Sequence, residues 1–571
     1  MLQNKNRVLI LYLIFSLAFF ALIIRLFQIQ VIDGAKYSEQ AVAQRQKTVN
    51  YIQVPRGTIF DRNMRPLTNV EEQPCVVVFP GMVKDVKGTS EFLADLLNIP
   101  SKSIIGKIKT PVSSNASEST VKEPFILKTG LTSEETELID EADLPGVYIL
   151  PLIPRYQPNW PAVHILGSVG RINKEEYQEM CFLGKNYHIN DMIGKSGLEK
   201  QYEDYLRGGD TEKIAALVDV HGQHLSGSGF TVLSSEEAGE VSHHHVVSTI
   251  DLDYQDITEK ALEGYNGAAV VMDVWNGNIL ALASSPKFDP DMLEEPITND
   301  AYINKALKNY PPASVFKILI AAAALEEGLV KPEDLFTCTG GITLPTGQNV
   351  SCWNKAGHGE ITFTQALANS CNPVFIETGL KLGGEKIIAY AEKFGLNNDT
   401  VIGYDLPKTQ HIHFNFNVPG DIANVSIGEN GISQSPVLIA KLLSEIANGG
   451  FRITPRLVLK IQNEAGKDVK EFSSIAGNRI LKPETVSALK DMLNLAVKEG
   501  TGRSAQVSGM ETAGKTGSSE IGGVWFAGFA PVDIPRWAVV VFIQKGTSGG
   551  KEAAAAFQKI VAGLAQAEGI F

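Results

Sequence analysis

Residues 310–317 contain two adjacent prolines, then a serine, and end in a lysine that opens the apolar, helix-favouring segment 318–325. Proline suits the entry to a helix and not its interior, so the pattern predicts a helix with Ser314 near its first turn. Positions i and i+3 share a helix face, which can bring the Lys317 amine within hydrogen-bonding reach of the Ser314 hydroxyl. The segment therefore predicts a serine nucleophile with a lysine base.

A free lysine is protonated at neutral pH and cannot accept the serine proton. Burial or a neighbouring cation must lower the lysine pKa by roughly three units, about 4 kcal/mol, before it can act as a base. The Ser-x-x-Lys pattern is weak evidence alone, because it also occurs at 284–287 and 487–490. The first of these contains a proline in a turn-like stretch, and the second lies on a predicted amphipathic helix whose lysine faces water.

Two further motifs follow the 314–317 pair, namely Ser370-Cys371-Asn372 and Lys515-Thr516-Gly517-Ser518. Serine-x-x-lysine, serine-x-asparagine and lysine-threonine-glycine, in this order, form the signature of penicillin-binding proteins and serine β-lactamases. Other matches to the last two motifs, at 113–115 and 128–130, precede Ser314 and break the order.

The 571-residue chain has an apolar run near its start, at 8–24, with basic residues on both sides. We predict an uncleaved single-pass anchor at 8–27, a cytoplasmic tail at 1–7 and an extracytoplasmic remainder. A cleaved signal peptide is the alternative, but no small-x-small site follows the run closely. A net charge of -13 argues against nucleic acid as a partner.

We predict a non-catalytic pedestal domain at 28–247 and a catalytic domain at 248–571. The pedestal is expected to contain a helical stalk, an inserted α+β subdomain at 75–155, and structural motifs at 56–63, 155–158 and 194–200. Histidines at 221, 224 and 243–245 suggest a metal site, but they lie in a linker-like segment and adjacent histidines cannot all face one ion. We therefore expect no metal and no cofactor.

The catalytic domain should begin with a β-hairpin at Asn276-Gly277, a strong two-residue turn signal. The Ser314 helix is expected to pack against this sheet, and a helix at 363–369 should deliver Ser370. Lys515 should lie on an edge strand, followed by a hairpin around 531–535 and a closing helix at 551–567.

In these motifs the chain resembles a class B, monofunctional penicillin-binding protein over nearly its whole length. The resemblance implies a multidomain α+β fold: a transmembrane helix, an elongated dimerisation-like pedestal, and a β-lactamase-like domain with an antiparallel sheet, flanking helices and a helical half. It implies a peptidoglycan D,D-transpeptidase that forms a serine acyl-enzyme with D-Ala-D-Ala stem peptides and is acylated by β-lactams. By the same resemblance, Ser314 is the nucleophile, Lys317 is the base and Ser370 relays a proton to the leaving amine. Asn372 binds an amide of the substrate, and Lys515 and Thr516, beside Gly517, bind its terminal carboxylate. The backbone N–H groups of Ser314 and Ser518 form the oxyanion hole.

The sequence departs from the commonest family pattern at Glu429 (usually Gln), at Ser435 (usually Thr) and at Ser518 (usually Thr). Residues 546–550 match the nucleophile-elbow pattern of α/β-hydrolases. No His or Asp follows them, so the α/β-hydrolase order of triad residues cannot be completed. A β-lactamase or carboxypeptidase would not need the anchor and pedestal. The alternative from another class is a non-catalytic β-lactam sensor or division scaffold.

Cys371 occupies the middle of the serine-x-asparagine motif, and Cys352 precedes it. Two packed or free thiols are one interpretation, and a Cys352–Cys371 disulfide that makes activity redox-dependent is the other. This pairing resembles sporulation-type members of the class. Roles in cell shape and growth, division or spore-cortex synthesis stay open, and no glycosyltransferase motif is found, so a membrane glycosyltransferase partner is expected.

Overall fold

The computed structural model describes residues 2–32, 46–48, 56–109, 124–157, 159–185, 187, 191–207, 212–217, 230–234, 243–291, 300–409, 411–475, 477–519 and 523–570. Most of the predicted stalk, and His221 and His224, lie outside these ranges.

The helices, in chain order, are α1 Leu2–Phe27, α2 Val86–Leu97, α3 Ser101–Lys109, α4 Ser133–Ala142, α5 Val163–Leu166, α6 Lys174–Phe182, α7 Gly197–Gln201, α8 Glu203–Leu206, α9 Leu252–Ala261, α10 Lys317–Glu326, α11 Phe363–Ala368, α12 Asn372–Leu382, α13 Gly384–Lys393, α14 Pro419–Ser426, α15 Pro436–Ala447, α16 Pro483–Lys498 and α17 Ala554–Ala567. The strands are β1 Gln46–Thr48, β2 Ile59–Phe60, β3 Gln73–Val78, β4 Phe125–Lys128, β5 Val147–Leu152, β6 Val169–Arg171, β7 Met192–Gly194, β8 Glu212–Leu217, β9 Phe230–Ser234, β10 His244–Ser248, β11 Gly267–Asp273, β12 Ile279–Ser285, β13 Leu335–Cys338, β14 Gly341–Thr343, β15 Asn349–Ser351, β16 Gly359–Thr362, β17 Val458–Asn463, β18 Asp468–Glu471, β19 Ala513–Ser519, β20 Gly523–Ala530 and β21 Trp537–Ile543.

One compact unit comprises Met1–Pro55, Glu72–Leu152 and Gly209–Val241. Its sheets have the strand orders β4-β3-β5 and β1-β8-β9. Alternate residues of β3 such as Val76 and Val78 are buried with Leu93 of α2 and Ile104 of α3, which gives this α+β part its core. Within the described residues, one helical stretch, Tyr12–Gln30, is long and apolar enough to cross a membrane, with a mean hydropathy of 2.1. It overlaps the predicted anchor.

The second unit comprises Arg56–Glu71, Ile153–Gly208 and Ser242–Phe571. Its five-stranded sheet has the order β12-β11-β21-β20-β19, antiparallel throughout. Both predicted hairpins are confirmed: β11 pairs with β12 across Gly277, which has a φ of +75°, and β20 pairs with β21. The closing helix begins at Ala554, three residues later than expected.

Each face of this sheet is covered by helices, which explains why its strands read as continuous apolar runs. Successive residues of β11 face opposite cores, so that Val270 packs in the core that contains α10 and α15, while Val271 packs in the core that contains α9 and α17. Because both faces are buried, the alternation of polar and apolar residues disappears.

Three sequence motifs assigned a structural role meet in a buried ion-pair network in the second unit. Arg56 donates to the Glu199 carboxylate at 2.9 Å and to Glu203 at 2.6 Å, and Arg155 donates to Glu199 at 2.6 Å. The Glu199 side chain has no solvent exposure. The network therefore links the motifs at 56–63, 155–158 and 194–200.

Replacing Glu199 with alanine is expected to lower the free energy of unfolding of this unit by about 3–5 kcal/mol, because two guanidinium groups lose their shared buried carboxylate. Denaturant titration of the detergent-solubilised chain measures the change. Asp256→Ala, which removes the exposed partner of Lys260, is the matched control and should barely move the midpoint. Equal midpoints for the two variants would contradict a stabilising role for the network.

Candidate active site

Ser314 lies in a 3-10 turn, Ala313–Phe316, immediately before α10. The sequence predicted Ser314 near the first turn of a helix. In the structure this turn has 3-10 geometry, and the α-helix begins at Lys317. Ala313 has a φ of +48°, and its N–H donates to the carbonyl of Gly428 at 2.9 Å. A Cβ on Gly428 would lie 1.9 Å from the Ala313 carbonyl oxygen, so only glycine allows this close approach.

The Lys317 side chain is fully buried and joins the first motif to the second. Its amine donates to the Ser370 carbonyl at 2.9 Å, to Ser370 Oγ at 3.3 Å and to Asn372 Oδ1 at 2.6 Å. No hydrogen bond joins the described Lys317 amine to Ser314 Oγ, in contrast to the sequence prediction. The amine is instead hydrogen-bonded to the side chains of Ser370 and Asn372. Ser314 lies one helical turn before Lys317 in the sequence.

Ser370 and Asn372 are placed by the junction of two helices. The capping box of Thr362 and Gln365 starts α11, and Ser370 follows this helix with a φ of +56°. Cys371 is the N-cap residue of α12, and Asn372 opens that helix while its amide donates to the Ser351 carbonyl at 3.3 Å. The tight left-handed turn points both motif residues at the Lys317 amine.

Lys515, Thr516 and Gly517 lie on the edge strand β19, as predicted. Lys515 is fully buried, and its amine donates to the Thr516 carbonyl at 3.0 Å. A Cβ on Gly517 would come within 3.1 Å of the Pro312 carbonyl, so this glycine lets β19 lie directly against the Ser314 turn. The third motif therefore lies next to the turn that carries Ser314.

Ser518 is exposed, and its hydroxyl accepts the Gly549 N–H at 3.2 Å. The neighbouring Ser519 hydroxyl donates to Glu429 at 3.0 Å, which places the carboxylate that departs from the usual family residue next to the strand. Thr501, whose hydroxyl lies 2.6 Å from that of Thr516, had no signal in the sequence because it belongs to no motif.

Two family models match most of the chain. The family model "Penicillin binding protein transpeptidase domain" matches residues 267–562, and "Penicillin-binding Protein dimerisation domain" matches residues 51–229. The chain is a class B penicillin-binding protein. This identification agrees with the resemblance found in the sequence and with the α+β fold.

Among curated relatives of this penicillin-binding protein is stage V sporulation protein D of Bacillus subtilis, 30% identical over 95% of this chain and 82% of the relative. Peptidoglycan D,D-transpeptidase MrdA of Salmonella typhimurium is 26% identical over 97% of this chain and 95% of the relative. A solved structure, described as "Structural coordination of polymerization and crosslinking by a peptidoglycan synthase complex", matches with a TM-score of 0.61 and 26% identity over 98% of each chain.

Burial is the main cause of the lowered pKa of both motif lysines in this penicillin-binding protein. It lowers the pKa of Lys317 to about 7, against a smaller opposite effect of the thiols of Cys371 and Cys352 and of Glu429. Burial, and then the charge of Lys317, also lower the pKa of Lys515 well below its ordinary value. Lys317 is thus available as a neutral base near neutral pH, as the sequence argument required.

The rate of acylation by a β-lactam is expected to rise about tenfold per pH unit below about pH 7 and to level off above it, because only the neutral Lys317 amine can accept a proton. Stopped-flow measurements with a chromogenic β-lactam across this range check the profile. A midpoint at the ordinary lysine value of 10.5 would contradict a buried neutral base.

Cys352 and Cys371 are both free and buried in the structure. A hydrogen bond between them is the largest cause of a pKa of about 5 at Cys352 and of a raised pKa at Cys371. The disulfide remains a prediction. Cys338 and His358, which the sequence did not single out, complete a cluster with this pair.

Proposed function

We propose that this penicillin-binding protein is a peptidoglycan D,D-transpeptidase that works through an acyl-enzyme on Ser314. The observation that carries the proposal is the convergence of three motifs on one serine. The buried Lys317 amine contacts Ser370 and Asn372 on one side, while Gly517 brings β19 against the serine turn on the other.

In the first half-reaction, Ser314 Oγ attacks the carbonyl carbon between the two D-Ala residues of a donor stem peptide and gives its proton to Lys317. Backbone N–H groups of Ser314 and Ser518 bind the resulting oxyanion, where one donor is worth about 3–4 kcal/mol. The carbon–nitrogen bond then breaks, and the proton passes through Ser370 to the amine of the departing D-Ala. The Ser314 ester remains.

In the second half-reaction, the amine of another stem peptide attacks this ester and loses a proton to the same relay, which returns Ser314 to its hydroxyl form. Asn372 is suited to bind an amide of the donor stem. Lys515 and Thr516 are suited to bind its terminal carboxylate, since a carboxylate that enters the site favours the protonated form of a buried lysine.

The helix at Tyr12–Gln30 supports a membrane anchor. We assign the N-terminus to the cytoplasm because basic residues precede the apolar run. The solved synthase complex, whose description pairs polymerisation with crosslinking, supports a membrane glycosyltransferase as partner. The name of one relative, stage V sporulation protein D, favours a role in sporulation. A role in cell-shape synthesis is the alternative.

The test is release of D-Ala by the full chain in detergent, from a stem peptide that ends in D-Ala-D-Ala, with and without an acceptor amine. We expect one D-Ala released for each cross-link formed, and no release from the matched peptide that ends in L-Ala. Failure to release D-Ala and to bind a fluorescent penicillin, under both reducing and oxidising conditions, would favour the scaffold alternative. Penicillin binding without D-Ala release would favour the sensor.

A further inference from the structure

A carboxylate is held at the edge of the candidate active site by the loop at 427–431. The N–H of Ala313, the residue before the nucleophile, donates to the carbonyl of Gly428 in this loop at 2.9 Å. Glu429 comes next, and its own N–H donates to the carbonyl of Asn424 in α14 at 3.0 Å. The loop is therefore anchored to α14 on one side and to the turn that carries the nucleophile on the other.

The side chain of Glu429 reaches the strand that carries the third motif. Its carboxylate accepts a hydrogen bond from the Ser519 hydroxyl at 3.0 Å, at the end of β19. Glu429 is partly exposed. Its negative charge also acts on the base, because burial lowers the pKa of Lys317 and Glu429 is among the smaller opposite effects. The loop therefore places a fixed negative charge beside β19 and near the catalytic amine.

The position of this carboxylate along β19 gives the site two ends of different charge. Lys515, Gly517 and Ser519 alternate onto one face of the strand. A Cβ on Gly517 would lie 3.1 Å from the Pro312 carbonyl oxygen, so this face points at the turn that carries Ser314. With a rise of about 3.4 Å per residue, the lysine and the serine of this face are about 13 Å apart. The turn of the nucleophile thus lies between a lysine end and a carboxylate end.

The two substrates of the proposed transpeptidase reaction match these ends. The donor stem ends in a carboxylate, which Lys515 and Thr516 are suited to bind. The acceptor stem brings an amine, which with an ordinary pKa of about 10.4 is an ammonium in neutral water. A partly buried carboxylate stabilises a cation and repels an anion, because charges interact more strongly near the protein interior than in bulk water. The Glu429 end of the strand therefore suits the acceptor.

We propose, on the basis of the proposed function, that Glu429 binds the ammonium of the acceptor stem and selects an acceptor with no carboxylate on the carbon that bears its amine. The bound ammonium first loses one proton to solvent. The neutral nitrogen then bonds to the ester carbon while the carbon–oxygen bond to Ser314 breaks. A second proton passes from that nitrogen through Ser370 and Lys317 to Ser314 Oγ, which restores the hydroxyl group.

Glu429→Gln removes the charge with little change in shape, since glutamine can still accept the Ser519 hydrogen bond. Two acceptor peptides are compared that carry either a carboxamide or a carboxylate on the carbon that bears the amine, as in amidated and free meso-diaminopimelate. Cross-linking by the full chain in detergent is measured against acceptor concentration. For wild type we expect kcat/KM to be about tenfold higher with the carboxamide peptide. In Glu429→Gln the preference should fall to about twofold or less, through a higher KM for that peptide.

Three controls separate the charge of Glu429 from other effects. Glu484→Gln removes an exposed carboxylate in the first turn of α16 and should keep the wild-type preference. Glu429→Asp keeps the charge and should keep most of the preference. Penicillin acylation of Glu429→Gln should be at least as fast as that of wild type, because loss of the negative charge favours the neutral Lys317 amine. The same acylation measurement shows that the variant is folded.

Wild-type protein that uses both peptides equally would overturn the assignment, and that measurement needs no variant. A Glu429→Gln protein with the wild-type preference and KM would overturn it as well. A rate of penicillin acylation that falls as far as cross-linking would show that Glu429 positions the nucleophile and does not bind the acceptor. A wild-type chain that forms no acyl-enzyme would defeat the proposed function and this assignment with it, whereas an acyl-enzyme indifferent to the charge of the acceptor defeats the assignment alone.

Discussion

Ser314→Ala is expected to abolish covalent labelling by fluorescent penicillin and to lower D-Ala release by a factor on the order of 10⁶, the loss seen when other enzymes lose a serine nucleophile. The effect is large because the proposed reaction forms its ester on this hydroxyl, and alanine has no atom that can replace it. Ser370 Oγ accepts a hydrogen bond from the Lys317 amine at 3.3 Å, and we expect it to relay a proton and not to replace the nucleophile. Gel fluorescence and mass spectrometry of the intact chain measure the label.

Ser487→Ala is the matched control, because Ser487 and Lys490 repeat the same four-residue pattern on α16. Ser487 is exposed. This variant should acylate at the wild-type rate. A Ser314→Ala protein that keeps its label, with the label mapped to another residue, would refute the assignment of the nucleophile.

Lys317→Met is expected to slow acylation about 10²–10⁴-fold, the usual contribution of a positioned general base, while the fold is retained. Methionine has a similar length and fills the buried space without a proton acceptor, and burial already disfavours the charged form of the native lysine. The substitution should also remove the rise in rate through about pH 7, since the titrating amine is gone. Single-turnover acylation rates across the pH range check both effects together.

Lys490→Met is the control for this second prediction, because Lys490 belongs to the Ser-x-x-Lys pattern at 487–490 to which we assign no function. It should leave the rate and the pH profile unchanged. Thermal unfolding of both variants separates a loss of base from a loss of structure. A Lys317→Met protein that is folded and acylates within about threefold of wild type would show that another group accepts the proton.

Much of the catalytic unit could be predicted from local chemistry. The Asn276-Gly277 dipeptide predicts the hairpin, and Gly277 has the positive φ of such a turn. The loop is longer than the predicted two residues, because the Asp273 N–H donates to the Asn278 carbonyl. The helix that begins at Phe363 can likewise be predicted from the capping box that Thr362 and Gln365 form. The 3-10 geometry at Ser314 could not be predicted this way, because it depends on the contact of Ala313 with Gly428, more than a hundred residues away.

The sequence by itself determined the order of the three motifs, the apolar run near the start, and the residue types needed for acyl transfer. It did so because each of these depends on neighbours a few positions apart along the chain. Only the tertiary structure decided that Lys317 contacts Ser370 and Asn372 and that three pedestal motifs meet at Glu199. Only it brought Cys338 and His358 to the cysteines at 352 and 371. These contacts join segments distant in sequence, and their energies come from burial and from the pairing of charges, which no local pattern records.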